Sequence, residues 1–148
     1  MEVFQAKIEH LEPIAILFDQ YRVFYGQASD LATAKIFLQE RLQKHDSLIY
    51  VASNRQIVGF TQLYPSFSSV SMQRIWILND LFVVATHRRQ GIAKLLLTAA
   101  KQYAQETGAI RITLATQISN ISAQTLYESL GYTRDEQFYH YSLRVSEF

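Results

Sequence analysis

Residues 81–93, Leu-Phe-Val-Val-Ala-Thr-His-Arg-Arg-Gln-Gly-Ile-Ala, pass from a strand-like apolar run through a basic turn into the start of a helix. That order builds an anion site. The first N–H groups of a helix lack partners inside it, and the macrodipole adds partial positive charge, so phosphate binds there readily. Gly91 removes the side chain that would keep a phosphate off the backbone, Ala93 is nearly as small, and Arg88 and Arg89 add charge. A pyrophosphate is the natural ligand. Neither G-x-x-x-x-G-K-[ST] nor G-x-G-x-x-G occurs in the chain, which disfavours a nucleotide kinase and a Rossmann oxidoreductase. Arg-x-x-Gly-x-Ala fixes only three positions, however, and a basic loop before a small-residue helix start is the plain alternative.

Four other features carry or exclude chemistry. Asn79-Asp80 interrupts an apolar run between Leu78 and Leu81, and a carboxylate there needs a partner if it is buried. It is either an edge carboxylate paired with an arginine such as Arg74, or a functional group. Tyr127 shares a helix face with Ala123, Leu126 and Leu130, so in isolation it reads as core. The chain has no cysteine, which excludes a disulfide framework, thiolate zinc sites and a cysteine nucleophile. The histidines at 10, 45, 87 and 140 are too scattered for a local metal motif, and no metal is expected.

The elements that must position these groups are legible from periodicity. At 148 residues, with 49% hydrophobic and 13% aromatic side chains, the chain predicts one domain over 1–148 with a substantial core. A short strand is expected over 3–8, followed by a helix from Pro13 carrying Ile14, Leu17, Phe18, Tyr21, Phe24 and Tyr25. Asp30 caps a second helix that ends near His45. Strands over 48–52 and 57–64 form a hairpin, and a long strand covers about 72–85. Ile92, Leu95, Leu96, Ala99, Ala100 and Tyr103 mark an amphipathic helix. A strand over 110–116, a helix ending before Gly131 and one or two tail strands over 132–145 complete a mixed α/β order. Fourteen basic against thirteen acidic residues leave a net charge of +1, so no whole-molecule field favours nucleic acid or an anionic membrane. With no leader-like N-terminus and no apolar run of about 18 residues, a soluble cytoplasmic protein is expected.

Over nearly its whole length the chain resembles the GNAT superfamily of acetyl-CoA-dependent N-acetyltransferases. Residues 88–93 are similar to the family's Q/R-x-x-G-x-G/A pyrophosphate loop, with Ala93 where many members have glycine. Residues 120–132, Asn-Ile-Ser-Ala-Gln-Thr-Leu-Tyr-Glu-Ser-Leu-Gly-Tyr, are similar to its N-x-x-A-x-x-L-Y-x-x-x-G-Y/F signature. The resemblance implies a mixed, mostly antiparallel sheet of six to seven strands flanked by about four helices. It implies acetyl-CoA as acyl donor and direct transfer to a primary amine of a small molecule or peptide.

The implied roles follow residue by residue. Backbone groups of Phe82, Val83 and Val84 would pair with the pantetheine arm at a splayed, bulged strand. Amides of Arg89, Gln90, Gly91, Ile92 and Ala93 would surround the pyrophosphate, with Arg88 and Lys94 nearby. Asn120 would cap its helix or bond the pantetheine, and Tyr127 would protonate the departing thiolate. Asp80, at the bend, is the first candidate for general base and amine ligand. The family's acceptor pocket implies Tyr21, Phe24, Tyr25 and Trp76, with Tyr64 and Tyr139 as further aromatics, and such walls suit a cation. Dimers are common among similar proteins. A non-catalytic acyl-CoA sensor is the alternative reading, and the balanced charge disfavours nucleic-acid binding through Arg88, Arg89 and Lys94.

Overall fold

Proline fixes φ and lacks an N–H, so a first helical turn tolerates it. In the computed structural model, which describes residues 1–147, Pro13 is the third residue of α1 (Leu11–Phe24). The next helix, α2 (Leu31–Lys44), opens with the Asp30 side chain accepting the Thr33 N–H at 3.1 Å and closes on His45 at φ 51°. The Asp30 cap and the end near His45 match the sequence reading. Strands β1 (Glu2–Gln5), β2 (Leu48–Asn54), β3 (Gln56–Ser68), β4 (Gln73–Val83) and β5 (Ile112–Thr113) form one sheet in that order. The first four pair antiparallel and β5 joins β4 in parallel, as α3 (Ile92–Glu106) requires by carrying the chain from β4 to β5.

The chain forms two compact units, Met1–Ala115 and Thr116–Phe148. In the first, Ile14, Leu38, Val51 and Phe60 are wholly buried between α1, α2 and one face of the sheet. Val58, Val83, Ile92 and Leu96 fill the space between the other face and α3. Each such side chain contributes about 1.5–3 kcal/mol on burial. The second unit holds α4 (Ile121–Ser129), capped by Asn120, whose side-chain oxygen accepts the Ala123 N–H at 3.1 Å. No helix among the described residues is long and apolar enough to cross a membrane.

The strand count corrects the expectation of six to seven. Five strands are present among the described residues, alongside the four α-helices anticipated. The expected strand over 110–116 shrinks to Ile112–Thr113 because it has a partner only where β4 runs beside it, at Trp76 and Ile77. Residues 132–147 form no strand. Tyr139, Tyr141, Leu143 and Val145 do alternate, yet Tyr139 and Val145 are each 90% exposed. Alternation specifies a face; a strand also needs a neighbour to take its N–H and C=O groups. A turn forms at Asp135, its carboxylate accepting the Gln137 and Phe138 N–H groups.

Candidate functional site

The polar interruption of β4 is a β-bulge. Leu63 pairs with Leu78 and Gln62 with Asp80, which leaves Asn79 as one residue too many on β4. The bulge carbonyls are satisfied by side chains: Thr61 Oγ1 donates to the Asp80 carbonyl at 2.7 Å, and the Tyr21 hydroxyl to that of Asn79 at 3.3 Å. Beyond the bulge β4 has β3 on one side only, since β5 pairs no further than Ile77.

That free edge has a defined chemistry. The Val84 N–H donates to the Val58 carbonyl at 2.9 Å, so Val84 turns its backbone toward β3. By the alternation of an antiparallel ladder, Phe82 does the same, while Leu81 and Val83 turn theirs to the open side. Of the three backbone positions expected to pair with a ligand, Phe82 and Val84 are therefore committed to the sheet. The available groups are those of Val83 and of Leu81, which the sequence reading left out.

Asp80 lies on the α1 side of the sheet, 3% exposed. One carboxylate oxygen accepts the Gln62 side-chain N–H at 2.6 Å and the other the Asn79 side-chain N–H at 3.0 Å, and the Tyr21 hydroxyl shares its hydrogen between Asp80 and the Asn79 carbonyl. Among the described residues no lysine, arginine or histidine nitrogen stands within 4 Å of it. Arg74, the ordinary partner considered from sequence, instead lies over the rings of Phe67 and Trp76. Burial pushes the Asp80 carboxyl above the usual carboxylate range, against the pull of its three hydrogen bonds. Neighbouring Tyr64 is pushed up to about 12, by burial first and then by the Asp80 charge.

Aromatic side chains gather beside this carboxylate. The Tyr21 ring meets Tyr25 at 5.0 Å, Phe60 at 5.9 Å and Phe82 at 6.2 Å, and Phe24 meets Tyr25 at 5.3 Å. The turn after α1 is pinned by Asp19, which accepts the Ser29 hydroxyl at 2.6 Å and the Asp30 N–H at 2.7 Å. The Ser29 hydroxyl above all holds that carboxyl below its ordinary range. Trp76 does not join the group, which corrects its expected place in the acceptor wall. Its ring packs on Tyr103 of α3 at 5.5 Å and its N–H donates to Thr107 at 3.0 Å. The cause is the bulge, which puts Trp76 and Asp80 on opposite faces although both numbers are even.

The turn from β4 to α3 retains the features of an anion cradle. Arg89 at φ 62° and Gly91 at φ 78° are both left-handed, the kind of backbone that turns successive N–H groups inward. A Cβ built on Gly91 would meet no protein atom within 4 Å. Gly91 is the N-cap of α3, no side chain caps the helix, and no acidic residue occupies the first turn. The amides of Ile92, Ala93 and Lys94 are thus left to an outside acceptor. Arg89, Gln90 and Lys94 are exposed, and the two cations form no ion pair among the described residues.

Arg88 departs from its expected place beside the phosphates. Its Nε–H donates to the Val83 carbonyl at 2.9 Å, and its guanidinium lies 5.6 Å from the Phe24 ring and 5.5 Å from that of Phe82. It clamps the loop to β4 and leaves the Val83 N–H as the vacant group of that residue on the free edge. In the second unit Tyr127 is half-buried, its ring 5.7 Å from Tyr132. The exposed Tyr139 also belongs to that unit. Sequence reasoning missed Thr61, Gln62 and Asp19. Thr61-Gln62 was findable, because it breaks the apolar run of β3 opposite Asn79-Asp80 in the same hairpin.

Comparison with known proteins gives a consistent answer. The model of the Acetyltransferase (GNAT) family matches residues 13–132. The Bacillus subtilis (strain 168) protein YhfO, an uncharacterized N-acetyltransferase, is 53% identical over 98% of both chains. A Haemophilus influenzae protein described as a probable acetyltransferase is 33% identical over 76% of this chain and 78% of its own. Among solved structures, one of a probable acetyltransferase aligns over 100% of both chains with a TM-score of 0.94 and 45% identity. AAC(6')-Iy in complex with a CoA-containing bisubstrate analog aligns over 97% of both chains at a TM-score of 0.78; at 22% identity this likeness is one of fold.

Proposed function

Because the chain belongs to the GNAT acetyltransferase family, and is on that ground an acyltransferase, we propose that it moves the acetyl group of acetyl-CoA directly to a primary amine. The acceptor is a small molecule or peptide met in a ternary complex in the cytoplasm, and residues 1–148 act as one catalytic domain. The observation that carries this reading is Asp80, a buried carboxylate at the edge of an aromatic cluster with no cation beside it among the described residues. A buried charge without an opposite partner is costly, and a protonated amine supplies that partner. Tyr21, Phe24 and Tyr25 offer the ring faces that attract such a cation.

The residues present fit acetyl-CoA. The amides from Arg89 to Ala93 and the open start of α3 suit its pyrophosphate, and Lys94 adds charge there. The free edge at Leu81 and Val83 suits the amides of its pantetheine arm. When bound, acetyl-CoA supplies an acyl carbon activated as a thioester. Asp80 takes the proton released as the alkylammonium, of pKa about 10.4, becomes the neutral nucleophile. The Val83 N–H would polarise the acyl oxygen. Asn120 would help to hold the pantetheine through the amide nitrogen that its capping bond leaves available. Tyr127 would protonate the sulfur as the C–S bond breaks and regain a proton from the newly acylated nitrogen. A phenol near 10 giving a proton to a thiolate near 8.5 is an uphill step of about 1.5 units, so the help from Tyr127 comes from position.

Calorimetric titration with acetyl-CoA, followed by an amine screen reading released thiol, tests this function. One site per chain and turnover with an amine are expected; the absence of cysteine removes any thiol background. Saturable binding without turnover across the screen would replace the enzyme by an acyl-CoA sensor, and no binding would remove the cofactor. Tyr127→Phe is expected to lower kcat by roughly 10²-fold while the acetyl-CoA Kd stays within about twofold, a change worth only about 0.4 kcal/mol.

A further inference from the structure

Asp80 does not hold its partners alone. Ser47, just before β2, donates its hydroxyl to Gln62 Oε1 at 2.8 Å, and Gln62 Nε2 donates in turn to Asp80 Oδ2 at 2.6 Å. Gln62 is wholly buried and Ser47 partly so. Ser47 also borders a surface cleft with Gln5, His45, Leu48 and Pro65, so the chain of bonds runs from that cleft to the carboxylate.

The direction of the chain follows from what each group can do. An ionised carboxylate only accepts, so Gln62 must present its NH₂ to Asp80, which turns Oε1 to Ser47 and leaves the hydroxyl as donor. If Asp80 takes a proton on Oδ2, two donors face each other across a short contact. The amide then has to turn over, and Ser47 has to turn its hydroxyl from donor to acceptor. Without Ser47 the outward Oε1 loses its donor, so the orientation that presents the NH₂ to Asp80 is held less firmly, chiefly by the carboxylate's own charge.

We propose that Ser47 is a positioning residue for Asp80: acting through the Gln62 amide, it fixes the N–H that keeps Asp80 an ionised proton acceptor. The other groups facing Asp80 are Tyr21 from α1, Asn79 beside it on β4 and Tyr64 on β3. Behind Tyr64 stand Arg41 of α2 and Asp46. Tyr64 also shares a hydrogen bond with the Gln62 side chain, but of these groups and Ser47 it is Ser47 that donates to Gln62 Oε1, at 2.8 Å. The functional meaning rests on Asp80 being the base, but the hydrogen-bond chain itself can be tested without turnover.

The test is a ¹³C NMR titration of the Asp80 side-chain carboxyl in the full chain, its signal assigned by loss in Asp80→Asn. Ser47→Ala is expected to raise the midpoint by about half a unit, while Ser47→Thr, which keeps the hydroxyl, stays within about 0.2 units of wild type. Gln62→Met removes the donor outright and is expected to raise the midpoint by about one unit. Equal midpoints in wild type and Ser47→Ala would overturn the proposal, as would equal shifts in the alanine and threonine variants. A shift in Ser47→Ala that threonine rescues supports it even if Asp80→Asn retains turnover, a result that would remove only the role of Asp80 as base.

Discussion

Gly91→Glu is expected to abolish measurable acetyl-CoA binding while leaving the fold intact. A Cβ at this position meets no protein atom within 4 Å, so no core contact is disturbed. Two costs remain. The left-handed φ of 78° strains any residue with a side chain by about 1–2 kcal/mol. More important, a glutamate at the open start of α3 puts negative charge where the proposed pyrophosphate sits. At about 4 Å and an effective dielectric of about 20, one pair of like charges costs about 4 kcal/mol, close to a thousandfold in Kd. Gly91→Asn carries the strain without the charge, and asparagine tolerates the left-handed region best after glycine. It is expected to lose less than about tenfold. Calorimetry on both variants, with circular dichroism as the check on folding, separates the effects; unchanged affinity in Gly91→Glu would put the pyrophosphate elsewhere.

Asp80→Asn is expected to lower kcat/KM by about 10²–10⁴-fold, the range of a general base, with acetyl-CoA affinity unchanged. In wild type, kcat/KM should rise with pH through the raised Asp80 midpoint, and this limb should vanish in the variant. Stability moves the other way. Because the folded carboxyl titrates above its unfolded value, its contribution to stability is fully present below the unfolded pKa and lost as pH rises through the folded one. At neutral pH and above, wild type therefore carries a buried charge at a cost that asparagine avoids. The Tm of the variant should be no lower than wild type at pH 8 and should gain on it as pH rises from 4 to 8. A large drop in Tm would make Asp80 a structural residue and undo the assignment.

What could be read from the chain divides along a physical line. Caps and periodicity are local, so α1, α2, α3 and α4 were legible. The passage from β4 through a basic turn into α3 was legible for the same reason, being written in one contiguous segment. Pairing is not local. The alternation of Tyr139, Tyr141, Leu143 and Val145 predicted a strand, yet no pattern within a segment names the neighbour that receives its hydrogen bonds. The bulge is a second non-local feature: it reverses which side of β4 the even-numbered residues face, so Trp76 packs on α3 although numbering alone groups it with Asp80. Arg88 shows the limit of reading charge as function. Its basic neighbours suggested phosphate, but a guanidinium also satisfies carbonyls and lies flat on rings, and here Val83, Phe24 and Phe82 hold it.

The free edge of β4 gives the apo protein an unusual signature in time. Interior strands ordinarily keep their amide hydrogens for as long as the whole domain stays closed. In residues 81–84 only Phe82 and Val84 turn their N–H groups into the ladder, the latter onto Val58 at 2.9 Å. Deuterium should therefore enter this stretch as a two-beat pattern, rapidly at Leu81 and Val83 and slowly at the residues between and after them. The two fast amides act as a clock for occupancy: they should slow when acetyl-CoA is added and quicken again when it is removed, with no change at their neighbours.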